Sequence, residues 1–480
     1  MTDAGGTSCL TGADAWRARR LRPRVKLKPE PIKSLKDAST HHIQNVAREE
    51  AYTQGQPTCV VTKCASHFGR KDPERPGMSH AQSLIIMDDK SVYRSAVVAD
   101  FASGYFPASI GSAGLAMILD QWTSVQSPAM AAGNDALGLL YVGHAHNDAR
   151  LVLAGRQRHA TAIWLLRREL DQRLQNASGI IAAAQDLLSC EIYSAVSSGL
   201  QGCRIHLAGL AVLISKSHGS HVQSPFLAFL TIQYSHVSLM SALVERKAIR
   251  QFESDILIKH KAPSSVVALI KSAMRLPAML EGFDWLHKNP DAPRVQGRTL
   301  QRKLKNLEIE LLTWFVQHEQ AAVARRSLRG GSSLGINNRR SSKLVSTPQT
   351  PRFRSFLDAV TQCFHATLLL LVRQCLCGLM LDATKVSSQS STLATHANAS
   401  AVQICESIDF ISATAGSPLS EAMAVRAPFH CLESWYRWKR DSMAVDWCRC
   451  KQGQLKAKLP FIEWDALLPW SFIAIHWCDA

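Results

Sequence analysis

The chain has 480 residues, with 55 Lys and Arg against 38 Asp and Glu, for a formal charge of +17. That length allows one large core or two or three ordinary ones. A basic excess of this size points to nucleic acid or another polyanion as the place of work, although the charge is mostly spread out rather than patterned. Thirteen cysteines, odd in number and scattered, argue against a disulfide framework. With no apolar signal region in "MTDAGGTSCLTGADAWRARRLRPR", the expected setting is intracellular, with reduced thiols.

In chain order, residues 1–80 are polar and read as a disordered basic arm. Within it Arg17, Arg19, Arg20, Arg22, Arg24, Lys26 and Lys28 make a run without an acid, and Pro23 and Pro29 discourage a continuous helix. Such a strand suits the acidic groove of a nuclear import receptor, or DNA phosphates. Phosphate contact alone carries no sequence specificity.

Helical patterning begins near Ser83, and the expected fold class is all-α, a large helical array with helical segments at 83–325 and 355–480. Asn147-Asp148 marks a helix start. Ile163, Leu166, Leu170 and Leu174 then recur at helical spacing, as do Ile181, Ala184, Leu188 and Ile192. A third stripe holds Cys203, Leu207, Leu210 and Ile214, with Gly219 as a C-terminal stop. Three amphipathic helices with short connections are expected there. Further helices are expected from Phe226 to about Arg250, from Ser264 to Leu286, and from about Arg298 to Arg325. Residues 326–354 are rich in Ser, Gly and Arg and read as a flexible loop. Ser327 and Ser342 follow arginine pairs there, and Thr347 and Thr350 precede prolines, so these four are candidate phosphorylation sites. The apolar run from Phe364 to Asp382 is interrupted by Arg373 and Gln374, and a buried helix is expected rather than a membrane span.

Motifs for chemistry are few. Cys203 and His206 could share a helix face, but no second ligand pair lies near them, and Cys203 sits on the apolar stripe as a small hydrophobe. Cys59, Cys64 and His67 lack a fourth ligand. Cys448 and Cys450, with His430 and Cys431 upstream, form a weak candidate, and Cys375 and Cys377 sit in an apolar helix. No phosphate-binding glycine loop, nucleophile elbow or His-Glu-x-x-His is present, and Asp88-Asp89 has no third acid at the distance that a helical terpene synthase needs. Neither catalysis nor a metal or other cofactor is expected.

The segment "DALGLLYVGHAHNDARLVLAGRQRHATAIWLLRREL" resembles the middle, helical regulatory domain of fungal binuclear zinc-cluster transcription factors, matching it at Asp148, His159, Ala162, Leu166, Arg167, Arg168 and Leu170. His159 stands where that family more often has tyrosine. "AAAQDLLSCEIYSAVSSG" is similar to the family's leucine-rich helix with a late glutamate, here Glu191. "GCRIHLAGLAVLISKSHG" matches its next helix at His206, Gly209 and Gly219, and "LLPWSFIAIHWCDA" is similar to a later Trp/Pro/Phe segment. The likeness runs from about Ser83 to the end, strongest over 135–219, and the order of the motifs carries more than any one.

The family's six-cysteine zinc cluster is not matched, because only Cys9, Cys59 and Cys64 precede Cys190. Either the chain is a variant without its own DNA-binding module, or the gene model is incomplete at one or both ends. The resemblance implies a nuclear transcriptional regulator, of the kind that controls a secondary-metabolite gene cluster. It would reach promoters through a partner transcription factor or the transcription machinery, touch DNA only indirectly or weakly, and involve no membrane. Homo- or heterodimerisation stays open. The alternative is a cytoplasmic helical scaffold with no role at promoters.

Overall fold

The computed structural model describes residues 90–105, 127–171, 177–191, 199–217, 225–249, 265–330, 353–381 and 388–462, with Asp120 and Tyr193. The described residues are 89% helical and contain no strand, so the fold is all-α. The described helices are α1 (Lys90–Tyr105), α2 (Pro128–Ala145), α3 (Ala149–Asp171), α4 (Ala177–Cys190), α5 (Gly199–Ser217), α6 (Pro225–Glu245) and α7 (Ser265–Ala273). They continue with α8 (Leu276–Lys288), α9 (Arg294–Gly330), α10 (Phe356–Leu381), α11 (Ser388–Thr414), α12 (Pro418–Lys439) and α13 (Ser442–Lys458). The basic arm, Ser342, Thr347, Thr350 and Gly219 lie outside the described residues.

Local chemistry sets the boundaries. Ser127 caps α2, its Oγ accepting the Met130 N–H at 3.0 Å, and Pro128 follows where a missing N–H costs nothing. The expected start at Asn147-Asp148 is found: Asn147 adopts φ 53°, and Asp148 Oδ1 accepts the Arg150 N–H at 2.9 Å. The tight α2–α3 hairpin depends on two glycines. A Cβ at Gly155 would lie 2.9 Å from the Leu140 backbone nitrogen, and one at Gly143 would lie 2.7 Å from that of Val152.

Four sequence expectations are corrected. The fully buried residues of α3 are Leu151, Gly155 and Ala162; of the expected stripe, Ile163 and Leu166 are half-buried beside Ala132 and Leu187, Leu170 is 40% exposed, and Leu174 lies outside the described residues. Small residues form the contact because the helices approach closely, and counting only large apolar residues misses it. α4 is not amphipathic but buried all round from Gly179 to Cys190. Ser264 to Leu286 is two helices, because Pro277 opens α8 and cannot continue a preceding turn. α9 continues to Gly330, placing Ser327 in the helix, and Phe353, at the far end of the proposed loop, is buried with its ring 5.3 Å from that of Phe410.

The third stripe is as expected, with Cys203, Leu207, Leu210 and Ile214 all buried. One hydrophobic cluster draws residues from every described helix, α1 to α13. α6 and α10 are long and apolar enough to cross a membrane, yet 83% of each apolar window is buried inside the protein. Arg373, in the middle of α10, is buried too. Its Nε donates to Glu308 Oε1 at 2.7 Å, and its Nη1 donates to Ser400 Oγ at 2.7 Å and to the His396 carbonyl at 2.9 Å. It therefore ties α9, α10 and α11 together.

Several polar groups are carried into this core. Gln185 on α4 donates to the Leu230 carbonyl on α6 at 2.8 Å. The Asp186 carboxyl lies against Gly133, and burial pushes its pKa well above the usual carboxylate range. Both ring nitrogens of His236 are buried without a hydrogen-bond partner, and the ring stands edge-on to Phe364 at 5.1 Å. Cys375 and Cys377 are core residues, as expected.

Candidate functional site

Three features of the described residues bear on function. The first is the convergence of the motif residues. Glu191, just past the end of α4, is buried, and its Oε1 lies 3.3 Å from His206 Nε2 on α5 and 3.9 Å from His159 Nε2 on α3. One carboxylate thus faces two imidazoles from two other helices. Burial pulls the His159 pKa down to about 4, with the nearby His206 adding to the drop and Glu191 opposing it. The Cys203 thiol is pushed up to about 12, first by burial and then by Glu191. That chemistry disfavours the thiolate a metal ion needs, and His206 turns to Glu191 instead. The Cys203–His206 spacing is a packed helix whose histidine fastens a neighbouring one.

The remaining motif residues divide. Asp148 caps α3, and Leu166 is half-buried against Ala132, Ala162 and Leu187. Arg167 is exposed. Gly209 faces open space, with no atom within 4 Å of where a Cβ would stand, so no close helix contact requires glycine there. Cys448 is buried and Cys450 exposed, so they do not share an environment.

The second feature is the outer face of α3. Leu153 and Trp164 are each 58% exposed, and Arg150, Arg156, Arg158, Arg167 and Arg168 are exposed around them. The Arg168 guanidinium lies 5.7 Å from the centre of the Trp164 ring. The only acids on this helix are Glu169, which accepts the Ala129 N–H at the start of α2, and the terminal Asp171. The helix is cationic, with Leu153 and Trp164 exposed on it about three turns apart. The sequence carried the signal as five arginines within one amphipathic helix.

The third feature lies where the chain leaves α9 and enters α10. One ligand atom from each of His318, Glu319 and Asp358 lies within 4.8 Å of the other two. His318 is 2% exposed, stacks on Trp314 at 4.8 Å and places Nδ1 3.1 Å from Ser265 Oγ. Its Nε2 stands 4.0 Å from Asp358 Oδ1, beyond hydrogen-bonding distance. Burial opposes ionisation of Asp358, but His318, the Arg354 N–H and Gln362 outweigh it and hold the carboxyl below its usual range. A serine, a histidine and an aspartate in line could relay a proton, but the imidazole is almost wholly enclosed and offers no open side to a substrate.

No family model, curated protein or solved structure matches this chain. Functional assignment therefore rests on the motif series and on the geometry above.

Proposed function

We propose that this protein is a nuclear transcriptional regulator, of the type that controls a fungal secondary-metabolite gene cluster, and that it reaches promoters by docking on a partner. The observation that carries the reading is the convergence of three helices on the Glu191 carboxylate. Residues matching the family's ordered motifs, His159, Glu191 and His206, stand together in space. They are packing groups rather than reacting groups, which suits a regulatory helical domain. The outer face of α3 supplies a docking surface: exposed arginines along the helix, with Leu153 and Trp164 between them, fit an acidic amphipathic helix of a partner transcription factor or of the transcription machinery. Arginine and tryptophan are the residue types that carry most interface energy. Contact with DNA would then be indirect, or weak through the basic arm.

The test is to fuse the full chain to an unrelated DNA-binding module upstream of a reporter in a fungal host. The fusion should raise or lower reporter output clearly. The Trp164→Ala, Arg168→Glu double variant should lose that effect with its unfolding temperature nearly unchanged, because both side chains are exposed. A fusion that leaves the reporter untouched would count against a regulatory role and for a cytoplasmic scaffold.

A further inference from the structure

We propose that His318, Glu319 and Asp358 bind a divalent transition-metal ion of the zinc class, an inference independent of the regulator reading. One imidazole and two carboxylates form a nitrogen–oxygen donor set suited to Zn2+ or Co2+ rather than to the all-oxygen sites of Ca2+ and Mg2+.

The surroundings orient each donor. With its hydrogen on Nδ1, His318 donates to Ser265 Oγ at 3.1 Å, and Nε2 keeps its lone pair for the ion. Trp314 holds the ring flat from one side, and its own Nε1–H donates to the Ser265 carbonyl at 2.5 Å, so the serine is itself fixed. Arg354 Nη2 donates to Glu319 Oε2 at 2.7 Å, leaving the buried Oε1 of the same carboxylate without a partner. The Arg354 N–H donates to Asp358 Oδ2 at 3.0 Å, and Gln362 Nε2 donates to Oδ1 at 3.2 Å, turning that carboxylate as well.

The 4.0 Å gap between His318 Nε2 and Asp358 Oδ1 is too long for a hydrogen bond but close to what an ion needs. Donors about 2 Å from a tetrahedral zinc stand about 3.3 Å apart, so closing the gap takes a shift of under about 1 Å. Among the described residues that touch the group, two carboxylates stand against one cation, Arg354, which leaves a net negative charge for the ion to neutralise.

The place in the fold gives the ion a purpose. His318 and Glu319 lie on α9, about three turns before its end at Gly330, and Asp358 lies in the first turn of α10. A bound ion would clamp α9 to the start of α10, and its binding energy would add to folding.

The experiment uses the full chain, stripped with a chelator and dialysed, then titrated calorimetrically with Zn2+ and followed by thermal unfolding. Co2+ serves as a second probe by its visible absorption. The wild type should take up one ion per chain and unfold at a higher temperature with Zn2+. Glu319→Gln, whose side chain is partly exposed and whose folding is not at stake, should lose both effects. Ser265→Ala should weaken binding about tenfold through the freed imidazole. His318→Gln should abolish the cobalt spectrum. Absence of binding by the wild type overturns the proposal. So does uptake that persists unchanged in Glu319→Gln, which would place the ion elsewhere, for example at the exposed Cys450.

Discussion

Replacing Arg373 by alanine is expected to cost about 3–5 kcal/mol of stability, enough to unfold many single domains. The guanidinium is buried in the middle of α10 and serves three acceptors from two other helices: Glu308, Ser400 and the His396 carbonyl. Removing it leaves the Glu308 carboxylate, itself only 16% exposed, without its cation, and takes a donor from the buried Ser400 hydroxyl. The desolvation of the orphaned groups, not the lost attraction, makes the loss large. A Glu308→Leu, Arg373→Met double variant should therefore recover much of it, because an apolar pair needs no partner. Urea midpoints for the two single variants and the double close the cycle. A single-variant loss below about 1 kcal/mol would mean that solvent reaches the pair.

The second large effect is acid sensitivity above the range where carboxylates titrate. Burial lowers the pKa of His236 to about 3 and those of His159 and His365 to about 4. In the unfolded chain each returns to about 6.5. All three folded values are depressed, so the stabilisation from keeping the rings neutral is full above about pH 6.5. It is lost as pH falls from there towards the folded values, because the unfolded chain binds protons that the folded chain refuses. Each histidine can contribute a slope of up to about 1.4 kcal/mol per pH unit. Denaturant midpoints between pH 6.5 and 5 should fall steeply, with far-UV circular dichroism at the midpoint as the readout. His236→Phe should make the fall shallower and raise stability at pH 5, since two unpartnered buried nitrogens leave with the ring. An unchanged slope in that variant would show that His236 is already reached by water.

The legible and illegible parts of this sequence differ for physical reasons. The α5 stripe could be read because Cys203, Leu207, Leu210 and Ile214 are large or buried enough to mark a face at helical spacing. The α3 face could not, because Gly155 and Ala162 bury little area yet permit the closest approach. α4 looked amphipathic because Gln185, Asp186 and Ser189 look like a solvent side. In the fold Gln185 reaches the Leu230 carbonyl, Ser189 Oγ donates to the Gln185 carbonyl at 3.0 Å, and burial pushes the Asp186 pKa up. Arg373 read as an interruption of an apolar run, and it is the residue that joins three helices there. The motif order pointed to Glu191 and His206 without indicating that they meet. The His318, Glu319 and Asp358 group was invisible, since a His-Glu pair in a charged helix is unremarkable and its third member lies beyond the loop.

The central claim is that the chain works at promoters through a partner. Genome-wide chromatin occupancy of the tagged full-length chain in its native host tests it most directly, with the α3-face double variant alongside. The account predicts enrichment at a restricted set of promoters for the wild type and its loss for Trp164→Ala, Arg168→Glu. A tagged wild-type chain that stays outside the nucleus, or is enriched at no promoter, would contradict it and leave the helical array as a cytoplasmic scaffold.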